Sequence, residues 1–181
     1  MKHLFFSMVI GLLISSAVFA QSSTVNANAS ATILTGISCA KDGTFFTGGD
    51  LLFGTLIPSA TAGTVTIAAQ SDYATSRSIS GGVTGIAYSS SNAYTKFGPA
   101  AFIITGEPSY AYSLTIPSSS ISILNGANSM VVSNWTCSMT SGANTMPGSG
   151  TKAFEIGGKL AVGANQVAGY YTGEFSVTVN Y

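Results

Sequence analysis

The sequence predicts an all-β protein, a single antiparallel β-sandwich behind a cleaved export signal. Three observations predict it. Short runs alternate apolar and polar side chains with a period of two, the signature of half-buried strands. Gly, Ser, Asn and Pro punctuate those runs at near-regular spacing, which is sandwich-like turn chemistry. Helix signals are nearly absent, and charged residues make up 7% of the chain against a usual quarter. The polar face is therefore built from Ser, Thr, Asn and Gly, a composition suited to an extracellular β-protein or an assembling subunit.

Residues 1–20 read as the signal. Lys2 and His3 give a polar start, Leu4 to Val18 an apolar run, and Val18-Phe19-Ala20 the small residue at a cleavage position between Ala20 and Gln21. A membrane anchor is the rival reading, but the run is short for a spanning helix. No cysteine follows the cut, so lipid anchoring is not expected. Removing twenty of the 181 residues leaves 161, enough for one domain with a real core. Cleavage also removes His3, the one histidine, and Lys2, leaving five basic against six acidic side chains, a net charge of −1. Such a surface gives no electrostatic handle for nucleic acid or anionic lipid. Past the signal, no apolar run has the length of a transmembrane helix.

Residues 21–33 form the first expected strand. Val25, Ala27, Ala29, Ala31 and Ile33 take every odd position, and Thr24, Asn26, Asn28, Ser30 and Thr32 the even ones. It is either the first strand of its own sandwich or a strand that leaves its domain to pair with the next. Residues 34–181 are the sandwich. Strands are expected at 34–39, 51–57, 64–69, 79–88, 101–105, 110–116, 121–124, 130–139, 153–162 and 171–181. Turns fall at 47–50, 80–82, 105–108 and 124–128, and exposed loops at 88–96 and 141–150. Tyr110, Tyr112, Leu114 and Ile116 share one face, as do Phe154, Ile156, Leu160 and Val162. The closing stretch alternates without error: Phe175, Val177, Val179 and Tyr181 point one way, and Ser176, Thr178 and Asn180 the other. Phe154, Ile156, Leu160, Phe175, Val177 and Val179 are the expected core. No linker or internal repeat divides residues 21–181.

Catalytic chemistry has few parts to work with. Past the signal there is no histidine, so Ser-His-Asp and Cys-His arrangements are unavailable. Asp42, Asp50, Asp72, Glu107, Glu155 and Glu174 are scattered, without a metal or acid/base pattern. "GDLLFG" and "GGVTG" lack the strand-to-helix context of a phosphate loop. No catalytic, cofactor or metal residue is assigned, and no cofactor is expected. Cys39 and Cys137, an even count in an exported chain without CxxC, predict one structural disulfide. Closing a loop of about 98 residues, it would be worth roughly 4–5 kcal/mol by the chain-entropy estimate. Asn28-Ala29-Ser30 and Asn134-Trp135-Thr136 match the glycosylation sequon, a pattern of low specificity. Trp135, on the odd face with Val131 and Met139, reads as a core aromatic beside the disulfide; a sugar-stacking platform is the alternative. Tyr88, Tyr94, Tyr110, Tyr112, Tyr170 and Tyr171 are equally open to surface stacking or to ordinary strand packing.

"LLFGTLIPSATAGTVTI" (51–67), "GGVTG" (81–85), "FIITGEPSYAYSLTIP" (102–117) and "GGKLAVGANQVAGYYTGEFSVTVNY" (157–181) together carry a resemblance. The chain resembles a secreted bacterial family catalogued as a domain of unknown function (number forty-four-oh-two), similar to chaperone–usher fimbrial subunits. The resemblance implies an immunoglobulin-like sandwich exported across the inner membrane, with assembly by a periplasmic chaperone and an outer-membrane usher. The Cys39/Cys137 pair and the Tyr-rich 86–97 segment depart from the family pattern and draw no support from it. On this reading the protein is a non-enzymatic fibre subunit at the cell surface, and its partners are copies of itself or related subunits. Val25–Ile33 is then the candidate donor strand. Phe175, Val177, Val179 and Tyr181 lie on the acceptor edge or the chaperone-contact strand. Two alternatives stay open: a self-contained surface or secreted binding domain, and a small outer-membrane β-barrel, whose closing strand also ends on an aromatic.

Overall fold

The computed structural model describes residues 22–70 and 76–181. The expected signal and its expected Ala20–Gln21 cleavage position, together with Asp72, lie outside the described residues. The chain divides into two units, residues 1–33 and 34–181. In the first, residues 22–33 adopt no regular strand, and Val25 and Ile33 are 87% and 95% exposed. Over residues 22–33 the expected strand is therefore unformed: no backbone among the described residues pairs with it.

The second unit is all-β and antiparallel, in a sandwich-like arrangement of two sheets. Ten strands follow in chain order: β1 (Ser38–Lys41), β2 (Leu56–Ile67), β3 (Arg77–Gly85), β4 (Ala100–Thr105), β5 (Ala111–Thr115), β6 (Ile121–Asn125), β7 (Asn128–Cys137), β8 (Gly142–Thr145), β9 (Thr151–Val162) and β10 (Thr178–Asn180). Seven of them form the larger sheet, in which β9 is the trunk. Its first half pairs with β4, its second half with β2, and β7 runs along residues 156–161. β1, β3 and β6 are the outer strands. The smaller sheet has the order β10-β5-β8. Gly157 sits where β9 passes from one partner to the next, and a Cβ there would run into the Ile67 carbonyl.

The alternation in β9 works as the sequence predicts. Phe154, Ile156 and Leu160 are buried to 1% exposure or less. They divide between two cores. The first gathers Ala100, Ile104, Phe154 and Ile156 from the larger sheet with Tyr112, Leu114 and Met146, which β5 and the end of β8 bring over from the smaller one. The second gathers Val65, Val83, Val132, Leu160 and Val162, all from the larger sheet. Both sheets enclose the first core, while the second has no facing strand among the described residues.

Several expectations are corrected. Cys39 and Cys137 are free thiols, not a disulfide. Cys39 aligns with Ile104 and so with Lys152 of β9, while Cys137 aligns with Ile156. Three strand-to-strand steps separate the two cysteines, roughly 14 Å across the sheet, and they are offset along β9 as well. A disulfide needs Cα atoms within about 7 Å. Burial raises both thiol pKa values, which makes them poor nucleophiles. Trp135 accordingly has no disulfide beside it. The stretch at 141–150, expected as loop, contributes β8, and Leu51–Thr55 does not join β2. The expected last strand is regular only over Thr178–Asn180, paired with Ser113–Thr115. Open outer strands border both sheets, whereas a membrane barrel closes on itself.

Candidate functional site: an open apolar groove

Over the second core the larger sheet presents Val132 and Met130 from β7, Ile121 and Ile123 from β6, and Leu160 and Val162 from β9. No strand of the smaller sheet covers them. Residues 49–56 form one wall, anchored by the paired backbone bonds between Leu52 and Gly98. Arg77 props that wall, donating to the carbonyls of Phe53 (3.4 Å) and Ile86 (2.7 Å) with its guanidinium 3.7 Å from the Phe97 ring centroid. Partial burial lowers the Arg77 pKa. Residues 166–175 form the other wall. Between them runs a groove of about 1370 Å³, larger than the usual 300–1,000 Å³ of a small-molecule pocket.

Trp135 and Phe175 close the end of the groove nearest the first core. Their rings lie 4.9 Å apart, the Trp135 indole N–H donates to the Ser119 carbonyl at 2.8 Å, and Phe175 meets Phe102 edge-on at 6.2 Å. Trp135 thus takes the packing role, half-buried, rather than standing free as a stacking platform. It reaches this side through a bulge between Ser133 and Thr136, with Asn134 at φ 51°. The same bulge explains why Val132 is 1% exposed while Val131, which the sequence grouped with Trp135, is 40% exposed.

The closing residues keep their expected parity without forming a full strand. Phe175, Val177 and Val179 are half-buried against the first core, and Ser176, Thr178 and Asn180 are exposed. β10 pairs with β5 on one side only. Tyr181 anchors the end of the chain: its hydroxyl accepts from the Glu107 N–H at 2.6 Å and donates to the Thr35 carbonyl at 2.9 Å. The Thr35 N–H in turn donates to the Glu107 carboxylate at 3.1 Å, and hydrogen bonding from Thr35 holds that carboxyl below its ordinary pKa. The candidate donor residues Val25, Ala27, Ala29, Ala31 and Ile33 are all exposed. Two pieces of the site had no sequence signal strong enough to find them. These are the 49–56 wall, whose apolar run reads as a strand, and the glycine-punctuated 163–173 stretch.

Of the tyrosines left open between stacking and strand packing, Tyr112 is core, whereas Tyr94 and Tyr170 are exposed on the groove rim with ring centroids 6.2 Å apart. Among the described residues no group of three or more His, Cys, Asp or Glu side chains is placed to hold a metal ion. Nor is any helix there long and apolar enough to cross a membrane. Fold and groove together define an all-β sandwich with one core closed and the other half-covered. The family described as "Domain of unknown function (DUF4402)" matches residues 43–181, and the chain belongs to it. No curated protein and no solved structure matches the chain.

Proposed function

We propose that the protein is a non-enzymatic, exported structural subunit that assembles into a fibre by strand donation. One observation carries this reading. The same chain holds an apolar groove without a facing strand and a nine-residue alternating segment, Val25–Ile33, that is exposed and has no strand partner among the described residues. An extended segment supplies the two things the groove lacks, main-chain hydrogen bonds and a row of small apolar side chains. Donation from one copy to the next does not close on itself, so it builds a filament. Export, transit through a periplasm with a chaperone and usher, and display at the cell surface belong to the same proposal.

The test is deletion of residues 21–33. A donated strand predicts a domain that still folds with an added donor peptide but does not polymerise. Ala29→Asp should block assembly, because an unpaired carboxylate in an apolar groove is strongly unfavourable, while Asn28→Asp on the other face should assemble normally. Polymers of Ala29→Asp as abundant as wild type would end the proposal. The exposed Tyr94–Tyr170 pair supports a second reading, a self-contained binding domain that stacks a ligand on the rim. That reading predicts a stable monomer whose ligand binding is lost on Tyr94→Ala.

A further inference from the structure

The stretch of residues 163–173, which carries most of that wall, lies where a strand would pair with the outer edge of β6, yet it is not a strand. Its backbone meets β6 at one point, where Leu124 N–H donates to the Thr172 carbonyl (2.7 Å) and Thr172 N–H donates to the Leu124 carbonyl (3.0 Å). One more backbone bond runs from the Asn165 N–H to the Ser59 carbonyl of β2 (2.7 Å), and the rest of its hold is side-chain work, including the Asn125 amide of β6 donating to the Ala168 carbonyl (3.4 Å). Gln166 accepts from the Gly163 N–H (3.2 Å) and donates to the Ser129 carbonyl (3.3 Å) and the Tyr171 hydroxyl (2.9 Å). The Tyr171 hydroxyl donates back to the Val167 carbonyl (2.7 Å). Apolar burial contributes little there: Val167 is 51% and Tyr170 71% exposed. Gly173 allows the close fit, since a Cβ there would stand 2.8 Å from the Ser122 carbonyl oxygen and 2.9 Å from the Ile123 side chain.

We infer that residues 163–173 are a displaceable strap. It holds the β6 edge with a single pair of backbone bonds and is kept shut by the Gln166–Tyr171 clasp until an incoming strand takes the edge. The inference rests on the donor-strand reading for the identity of that strand. The clasp and the opening it controls are separate from it. A strap held by a few polar contacts and one residue pair opens at low free-energy cost compared with the closed core. It therefore shields the apolar floor of the groove in the lone subunit without barring a segment that offers more backbone bonds.

The experiment compares the purified wild-type protein with Gln166→Ala and Gly173→Ala, which loosen the strap by unrelated means. Three readouts are taken: amide exchange, binding of an apolar fluorescent dye, and the uptake rate of a synthetic peptide of residues 22–33. Gln166 donates two hydrogen bonds, so its loss should shift the closed-to-open ratio by about tenfold. Exchange at Leu124 and Thr172 should accelerate by about that factor, dye binding should rise, and peptide uptake should quicken in step. Ile104, in the closed core, should exchange as before. Unchanged exchange at Leu124 and Thr172 in both variants would overturn the strap. So would faster exchange with an unchanged uptake rate where the wild-type protein does take up the peptide. If the peptide binds none of the three proteins, the donor reading fails, while faster exchange with greater dye binding still supports the strap.

Discussion

Phe175 sits at the seam of the two cores, and replacing it with Ala measures how much of the last stretch is packing and how much is edge. A fully buried Phe cut to Ala costs about 3–5 kcal/mol, the value expected for Phe154, which is 1% exposed and stacked on Phe102 at 5.4 Å. Phe175 is only half-buried, so roughly half of that transfer term applies. Its contacts with Trp135 and Phe102 bring part of the ordinary aromatic-pair contribution of about 0.5–1.5 kcal/mol. The expected loss is about 2 kcal/mol. In a domain of this size that corresponds to roughly 4–8 °C in Tm, with Phe154→Ala clearly worse. Urea unfolding monitored by Trp135 fluorescence gives the number, and Trp135 itself should shift its emission because its ring neighbour is gone. A loss within about 0.5 kcal/mol, the range of an ordinary surface site, would show that the seam does not exist. A loss equal to that of Phe154→Ala would show that the groove end is closed core.

Three further outcomes follow from the same contacts. Thiol titration of the unfolded, unreduced protein should find Cys39 and Cys137 both reactive, and a non-reduced peptide map should contain no cross-linked pair. Tyr181→Phe removes the hydroxyl that links Glu107 to Thr35, and because water can reach both groups the cost should stay near about 1 kcal/mol; no change in urea midpoint would show that the link contributes nothing. The Glu107 carboxyl has a lowered pKa in the folded protein, so its tie to Thr35 contributes above the unfolded carboxylate pKa and is lost as the pH falls through the folded value. Thr35 amide exchange, corrected for intrinsic rate, should therefore lose protection in acid below the ordinary Glu range, and Glu107→Gln should flatten that dependence.

Alternation in the sequence was a good guide to which face a residue takes and a poor guide to where a strand has a partner. In β9 and β5, regular over their length, the apolar positions Phe154, Ile156, Leu160, Tyr112 and Leu114 are the buried ones. In β7 the bulge at Asn134 changes the parity midway, so Val132 and Trp135 face inward together. A period-two reading has no register for an extra residue. In β2 a second irregularity between Pro58 and Gly63 joins what reads as two strands into one. The disulfide failed for a different reason. Cysteine count and export context say nothing about sheet order, and β4 and β9 stand between Cys39 and Cys137. The groove was illegible because its defining feature is a missing neighbour. Residues 171–177 alternate as well as any strand here, but alternation does not report whether a partner edge lies beside them.

The chemistry of that edge bears on why it is left open. Unpaired strand edges invite association, and soluble proteins ordinarily blunt them with Lys, Pro, charged inward positions or a covering element. Neither device of charge nor Pro is present here: β6 reads Ile121-Ser122-Ile123-Leu124-Asn125, and the strap over it carries no charged residue from Gly163 to Gly173. Cover of β6 is slight too, one backbone pair, a bond from the Asn125 amide to the Ala168 carbonyl and a clasp built on Gln166, with the Asn165 N–H held by Ser59 of β2. The short β10 is likewise uncharged on its open side, Thr178-Val179-Asn180. A chain of 7% charged residues still had lysines to place, and none is on this edge: Lys41, paired with Asp50, and Lys96 line the groove from other segments, and Lys152 and Lys159 are on the trunk strand β9. An edge without charge, above an apolar floor without a facing strand, is a surface that gains by accepting a segment and is not protected against one. That asymmetry favours the subunit reading over the self-contained domain, which would have to keep the same edge soluble by itself.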